Sequence, residues 1–202
     1  MAKVALSRRE QNKAEKRGRI IAAARALFAH KGFEATTTQQ IAEAAEVAAG
    51  TLFLYARSKD DLLILVFREE MIELVERAYR LARREPALIE QLVTYFETFV
   101  AHHERDLPLA RALMRQLAHV AGADERSEVN ELMTNVLGRL SLIIESAKGR
   151  SQARFETPLT PAARAVFGVY YFNLLSLLNG YINREQFDRD LRGQLELVLR
   201  GL

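Results

Sequence analysis

The 202-residue chain contains no cysteine. That excludes disulfide scaffolds, thiolate zinc sites and cysteine nucleophiles, and it suits a reducing cytoplasm. Proline occurs only at positions 86, 108, 158 and 161, and little of the sequence alternates with a period of two, so helix dominates the reading. The first twenty residues are polar and lack the apolar core of a secretory signal. One membrane-span candidate, residues 165–182, barely reaches the ~20 apolar residues a bilayer takes. Asn173, Ser176 and Asn179 interrupt it, so the expectation is a helix buried between protein surfaces, with no membrane partner. Also missing are a glycine-rich phosphate loop, a nucleophilic-serine elbow, internal repeats and low-complexity tracts.

What is present fits a folded chain with a substantial core. Hydrophobic residues make up 49% and charged residues 27%, a globular balance that allows one large domain or two small ones. The charge is unevenly spread. Residues 1–59 hold eleven Lys/Arg against five Glu, a net +6, while the remainder carries a net −3. A cationic head on a slightly acidic body is what phosphate binding requires.

In the first helix, spanning about residues 13–30, Ile20, Ile21, Ala24, Leu27 and Phe28 share one face, and Lys31-Gly32 closes it. Thr37 with Gln40 forms a capping box that opens a second helix. After a turn near Glu46, residues 48–55 make a short third helix of small side chains, of a size to enter a groove. Ser58 caps a long fourth helix whose first turn carries Asp60 and Asp61 at the positive end of the dipole. Leu63, Phe67, Met71, Leu74, Ala78 and Leu81 share its apolar face, and Pro86 marks its end. Further amphipathic segments cover 87–105, 109–120, 125–148, 161–182 and 184–202, with residues 149–158 as a mobile connection.

The expected fold is therefore all-α. An N-terminal three-helix helix-turn-helix head occupies residues 1–59, and a long helix joins it to a helical ligand-binding and dimerisation body, 60–202. In such a motif the second helix enters the major groove while the first crosses the backbone. Phe28, Ile41, Ala45, Val47 and Leu52 pack the pair from inside. The threonines opening the first helix of the pair offer hydroxyls and backbone N–H groups to phosphate.

The residues Leu27-Phe28, Gly32, Thr37-Thr38, Ile41-Ala42, Ala45, Val47, Gly50-Thr51-Leu52-Phe53, Tyr55, Lys59 and Leu62 resemble the N-terminal domain of the TetR family of bacterial repressors. The resemblance covers roughly residues 15–63 and is specific at this density. It implies that Thr37, Thr38 and Lys59 contact phosphates, and that Ala49, Gly50, Thr51, Phe53, Leu54 and Tyr55 approach bases or backbone. Two positions depart from the pattern. Glu46 stands where the turn usually has glycine, and Ala48 cannot cap the third helix as the usual serine does.

The reading helix carries no Arg, Lys, Asn or Gln for bidentate base contacts. Direct readout is expected to be weak and to lean on Thr51, Gln39, Tyr55 and apolar contact with thymine methyls. A basic arm (Lys3, Arg8, Arg9, Lys13, Lys16 and Arg17) would then supply much of the affinity from the minor groove.

In the body, the resemblance implies a small-molecule cavity. Its candidate lining is Phe67, Met71, Tyr95, Phe96, Phe99, His102, His103, Met114, Leu117, Tyr170 and Asn173. With few polar groups among them, an apolar or aromatic effector is expected. Phe167, Tyr171, Leu174, Leu178 and Tyr181, with the stripe Phe187, Leu191, Leu195, Val198 and Leu202, form more apolar surface than a small body can cover. Pairing with a second copy as a four-helix bundle would bury it. The expected partners are double-stranded DNA, a second copy and a small effector that releases the DNA, in the cytoplasm.

Two other readings compete. A helical metal-dependent enzyme would use His102, His103, Glu104 and His119, but adjacent histidines on a helix point ~100° apart and no metal-binding helical spacing occurs. No metal or cofactor is therefore expected. An architectural DNA binder without ligand would leave the body without a purpose.

Overall fold

The computed structural model describes residues 7–118, 123–149 and 157–201. Lys3, His119, Leu202 and most of the 149–158 connection lie outside these. The described residues are helical with short links. They form α1 (Arg8–Lys31), α2 (Thr38–Ala44), α3 (Ala49–Leu52), α4 (Lys59–Ala82), α5 (Leu88–His103), a 3-10 turn (Glu104–Asp106), α6 (Leu107–Ala118), α7 (Ala123–Gly149), α8 (Leu159–Leu178) and α9 (Arg184–Gly201).

α1 begins at Arg8, five residues before the expected start near residue 13, for a local reason. Ser7 Oγ accepts from the Glu10 N–H at 3.3 Å while the Glu10 carboxylate accepts from the Ser7 N–H at 2.8 Å. This capping box satisfies N–H groups that a helix start otherwise leaves unpaired. Gly32 ends the helix at φ 80, a conformation that glycine adopts without steric cost. Thr36 is buried in the link, its hydroxyl donating to the Gly32 carbonyl at 2.8 Å.

α1 packs on α2 and α4, and α2 on α3. Ile20, Ala24, Phe28, Ile41, Leu52 and Leu62 are fully buried at their junction. α4 is 24 residues long, about 36 Å at 1.5 Å per residue. Ser58 caps it by accepting from the Asp61 N–H at 3.0 Å. Its first turns close the head, and the rest packs against α5, α6 and α7. α8 lies between α7 and α9, and α9 also meets α5.

Ion pairs tie these layers together. Arg192 forks onto Glu90 through two 2.8 Å bonds, and Arg139 reaches Glu76 at 2.6 Å. Arg184 gathers Glu97, Glu104 and Asp188 around the start of α9. Among the described residues no helix is long and apolar enough to cross a membrane.

Candidate nucleic-acid interface and effector cavity

The α2–α3 turn is a Schellman motif with a glutamate in the usual glycine place. The Val47 N–H reaches the Ala42 carbonyl and the Glu46 N–H reaches the Glu43 carbonyl, both at 3.0 Å. Val47 packs against the same core as Ala42, the apolar contact that accompanies this motif. The geometry puts Glu46 at φ 53, where a side chain costs about 1–2 kcal/mol. Ala48 precedes α3 with no side-chain cap.

α3 covers four residues, ending at Leu52, and turns follow through Tyr55. Leu52 is fully buried and anchors the element, while Leu54 is 81% and Phe53 49% exposed. Ala49 and Gly50 face solvent, and Thr51 and Tyr55 are half-buried. Gly50 has no positive φ, and a Cβ built on it meets nothing within 4 Å. The chain's own packing therefore does not call for glycine there, although glycine weakens a helix by roughly 0.5–1 kcal/mol relative to alanine. On α2, the Thr37 hydroxyl accepts the Gln40 N–H at 3.2 Å, and Gln39 donates to Glu43 at 3.3 Å. Thr38 is half-buried.

Two expectations for the head need correction. The basic segment from Arg8 onward is no extended arm, because the Ser7 capping box makes it the first turns of α1. Arg8, Arg9, Lys13 and Lys16 are exposed there, but Arg17 turns inward and holds Glu69 of α4 at 2.7 Å. Lys59 is also engaged. Its ammonium donates to the carbonyls of Phe33 at 2.8 Å and Glu34 at 3.1 Å and sits 4.4 Å from the Phe33 ring centroid. In the free protein it fastens α4 to the α1–α2 link.

Among the described residues, two chambers adjoin in the body. The outer one, about 320 Å³, lies where the head meets the body and is lined by Ala29 of α1, Leu63, Val66, Phe67 and Glu70 of α4, His102 and His103 of α5, Arg105 and Asp106 of the 3-10 turn, and Leu109, Ala110 and Leu113 of α6. The inner one, about 70 Å³, is lined by Phe67, Met71, Phe99, His103, Met114, Leu117, Phe167, Tyr170, Tyr171 and Leu174, with Val129, Leu132, Met133 and Val136 of α7. Phe67 and His103 belong to both. Their rings stack at 6.1 Å with 21° between planes, making the neck.

The four α7 residues recur every three or four positions, so helical periodicity marks their face. Nothing in the sequence says that this face meets α4 and α8.

Three expected cavity residues lie elsewhere. Tyr95 is fully buried, and its hydroxyl donates to the Val136 carbonyl at 3.0 Å. Burial pushes that phenol's pKa up from its ordinary value. Phe96 stacks on Tyr170 at 4.6 Å and is core. Asn173 bridges α8 to Gln194 of α9 at 2.8 Å. Phe167, Tyr171 and Leu174, expected at a dimer surface, line the inner chamber instead.

The two histidines differ sharply. His102 pairs its Nε2 with the Glu70 carboxylate at 3.2 Å. His103 is buried, and desolvation, helped by the neighbouring His102 charge, pulls its pKa down to about 4 against an opposing Glu70. No group of three His, Cys, Asp or Glu among the described residues is placed to hold a metal ion.

The expected dimer stripe also needs correction. Phe187, Leu191 and Leu195 are fully buried within the chain, and Leu174 and Leu178 nearly so. Packing of α9 on α5 and α8 covers them. Tyr181 is 81% exposed, and Val198 is half-buried. The outward apolar residues of this pair are Phe172 and Leu197, each 66% exposed.

Residues 20–66 match the family model described as bacterial regulatory proteins, tetR family. The chain is 27% identical to the HTH-type transcriptional repressor KstR of Rhodococcus jostii (strain RHA1) over 190 residues, covering 93% of this chain and 82% of that one. It is 26% identical over 149 residues to the fatty acid metabolism regulator protein of Bacillus subtilis (strain 168), covering 74% and 76%. In fold it is similar to Thermus thermophilus FadR, described as a transcriptional repressor in complex with lauroyl-CoA. That match has a TM-score of 0.73 at 23% identity, covering 92% of this chain and 94% of that one.

Proposed function

Because the chain belongs to the TetR family of bacterial regulatory proteins, we propose that it is a homodimeric repressor released by a small apolar effector. It holds a palindromic operator with two heads until the effector fills its body. The observation that carries the DNA half is the exposed Gly50 beside Phe53 and Leu54. A helix surface that is bare where its own fold asks for nothing suits close approach to base edges and thymine methyls. Arg8, Arg9, Lys13 and Lys16 extend one solvent-facing helix toward the phosphates, and Thr37, Thr38 and the α2 N-terminus bind the backbone.

Residues up to Lys59 act as the reading head, and 60–202 as the effector and dimer body. α8 and α9 offer the surface for a second copy. Gly168 and Phe172 on α8, and Gly193 and Leu197 on α9, are exposed pairs four residues apart and so share a face. A Cβ at either glycine meets nothing in the chain, which leaves room for a partner helix to approach closely.

The effector reading rests on the inner chamber, where Met71, Met114 and Met133 supply adaptable walls. At about 70 Å³ it falls well below the roughly 300–1,000 Å³ of drug-sized ligand sites. A ligand therefore opens it by moving these side chains. An aliphatic chain, the kind of group the FadR structure's lauroyl-CoA contains, fits such a lining.

Selection of duplex DNA from a random pool tests the first half. An inverted repeat with half-sites spaced by whole helical turns is expected, and no enrichment overturns the repressor reading. For the second half, the uncharged dye Nile red is expected to bind the full chain and to bind more weakly after Leu132→Trp fills the chamber. No binding overturns the effector reading.

A further inference from the structure

Several polar side chains lining the two chambers already have work within the protein. Glu70 is shared by Arg25 at 2.9 Å and His102 at 3.2 Å. Asp106 accepts from the Leu109 N–H at 2.9 Å, holding the start of α6. His103 does not. Only 6% of it is exposed, and among the described residues its ring makes no hydrogen bond to the protein. Its ring contacts are the stacked Phe67 and the edge of His102, whose centroid lies 5.8 Å away.

The ring nitrogens are not among the fully enclosed side-chain atoms that lack a partner, so they open onto chamber space. A ligand that displaces solvent there must supply a hydrogen bond or leave the imidazole unpaired, which is destabilising by about 1–3 kcal/mol. We propose that His103 is the specificity-determining residue of the effector site, recognising an uncharged hydrogen-bonding group, such as a ketone, ester or hydroxyl, on an otherwise apolar ligand. This rests on the cavity reading given above.

The class of ligand follows from what surrounds the ring. A neutral imidazole offers one N–H donor and one acceptor nitrogen, which matches a carbonyl or hydroxyl oxygen. A carboxylate placed at the neck would lose its hydration and face the Glu70 charge, and the arginine of the lining, Arg105, belongs to the outer chamber and not to the inner one. An ammonium would meet the apolar wall of Phe67 and Leu113, and its nearest carboxylate, Glu70, is already held by two partners. The apolar remainder passes the neck into the inner chamber, where the Tyr170 hydroxyl is a second group without a protein partner among the described residues. Ligands are thus sorted first by apolar bulk and then by one uncharged oxygen at the depth of His103.

Displacement of Nile red from the full chain by octane, methyl hexyl ketone and octanoate, matched in carbon count, tests this. The ketone is expected to compete about tenfold better than octane or octanoate. His103→Phe is expected to abolish that preference while keeping the affinity for octane, and His103→Gln, which restores a donor, to retain most of it. Circular dichroism melts establish that each variant is folded. Equal competition by ketone and octane in the wild-type chain overturns the role of His103 and leaves the cavity reading standing, as does preference for octanoate. If Nile red itself fails to bind, the cavity reading falls and takes this inference with it.

Discussion

Arg25 of α1 and Glu70 of α4 meet at 2.9 Å, and the same carboxylate holds His102 of α5 at 3.2 Å. The DNA-reading head is thereby tied to a wall of the outer chamber through one side chain. Arg17 and Glu69 make a parallel contact a helical step away, at 2.7 Å. A ligand that moves α4 at Phe67, one turn before Glu70, moves the residue that positions α1.

Glu70→Gln is expected to change stability little, since partly exposed ion pairs contribute about 0–1 kcal/mol. Affinity for a selected operator should nevertheless fall several-fold, because the head loses a positioning contact. Fluorescence anisotropy with labelled DNA checks this, and unchanged affinity would show that the Arg25–Glu70 contact is incidental.

Glu46→Gly should stabilise the protein by about 1 kcal/mol, by removing the strain of a side chain at positive φ. Thermal or urea unfolding measures it. Loss of stability would mean that the 3.6 Å contact between Arg19 and Glu46 outweighs the backbone term.

Gly50→Ala separates folding from function. Alanine fits the open space and favours helix, so stability should hold or rise by up to about 1 kcal/mol. DNA affinity should drop by tenfold or more if the bare surface faces the groove. An alanine variant that binds DNA as well as the wild type removes Gly50 from the interface.

His103 makes stability depend on pH in a defined window. Its pKa in the folded protein is about 4, against ~6.5 when unfolded. The unfolded chain therefore binds more protons between these values, and stability rises with pH there. On acidification from pH 6.5 to 4 this residue alone removes on the order of 3 kcal/mol. His102 and Glu70 are the charged neighbours that tune the shift, in opposite directions. Glu90, whose pKa is lowered by the bond to Arg192, adds a trend of the same sign. Subtracting the unfolding profile of His103→Gln isolates the histidine, and identical profiles would refute the assignment.

Phe172→Glu and Leu197→Glu put charges on the outer faces of α8 and α9 without touching the core. Light scattering after gel filtration is expected to show the wild type as a dimer and both variants shifted toward monomer. Dimers of undiminished stability would place the interface elsewhere. Burial of Phe187, Leu191 and Leu195 within the chain is why substitutions there would test folding instead.

The sequence by itself determined what depends on neighbours in the chain. The Thr37–Gln40 box, the Ser58 cap, the Gly32 stop, the strained Glu46 turn and the uncapped Ala48 were all legible, because each is a contact within a few residues. So was the density of motif residues from Leu27 to Leu62. The start of α1 was missed although its Ser7–Glu10 capping box is written in the same local terms, because no apolar periodicity accompanies it.

Only the tertiary structure decided which partner each apolar face meets. Periodicity states that Phe187, Leu191 and Leu195 share a side of α9. It cannot state that α5 and α8 cover that side while Phe172 and Leu197 are left outside. In the same way the spacing of α5 placed Tyr95, Phe96, Phe99 and His103 together. The crossing of α4, α7 and α8 assigned the first two to core and the last two to a cavity. Hydrophobic burial is non-directional, so a sequence specifies how much surface must be covered, and the packing of the helices decides by what.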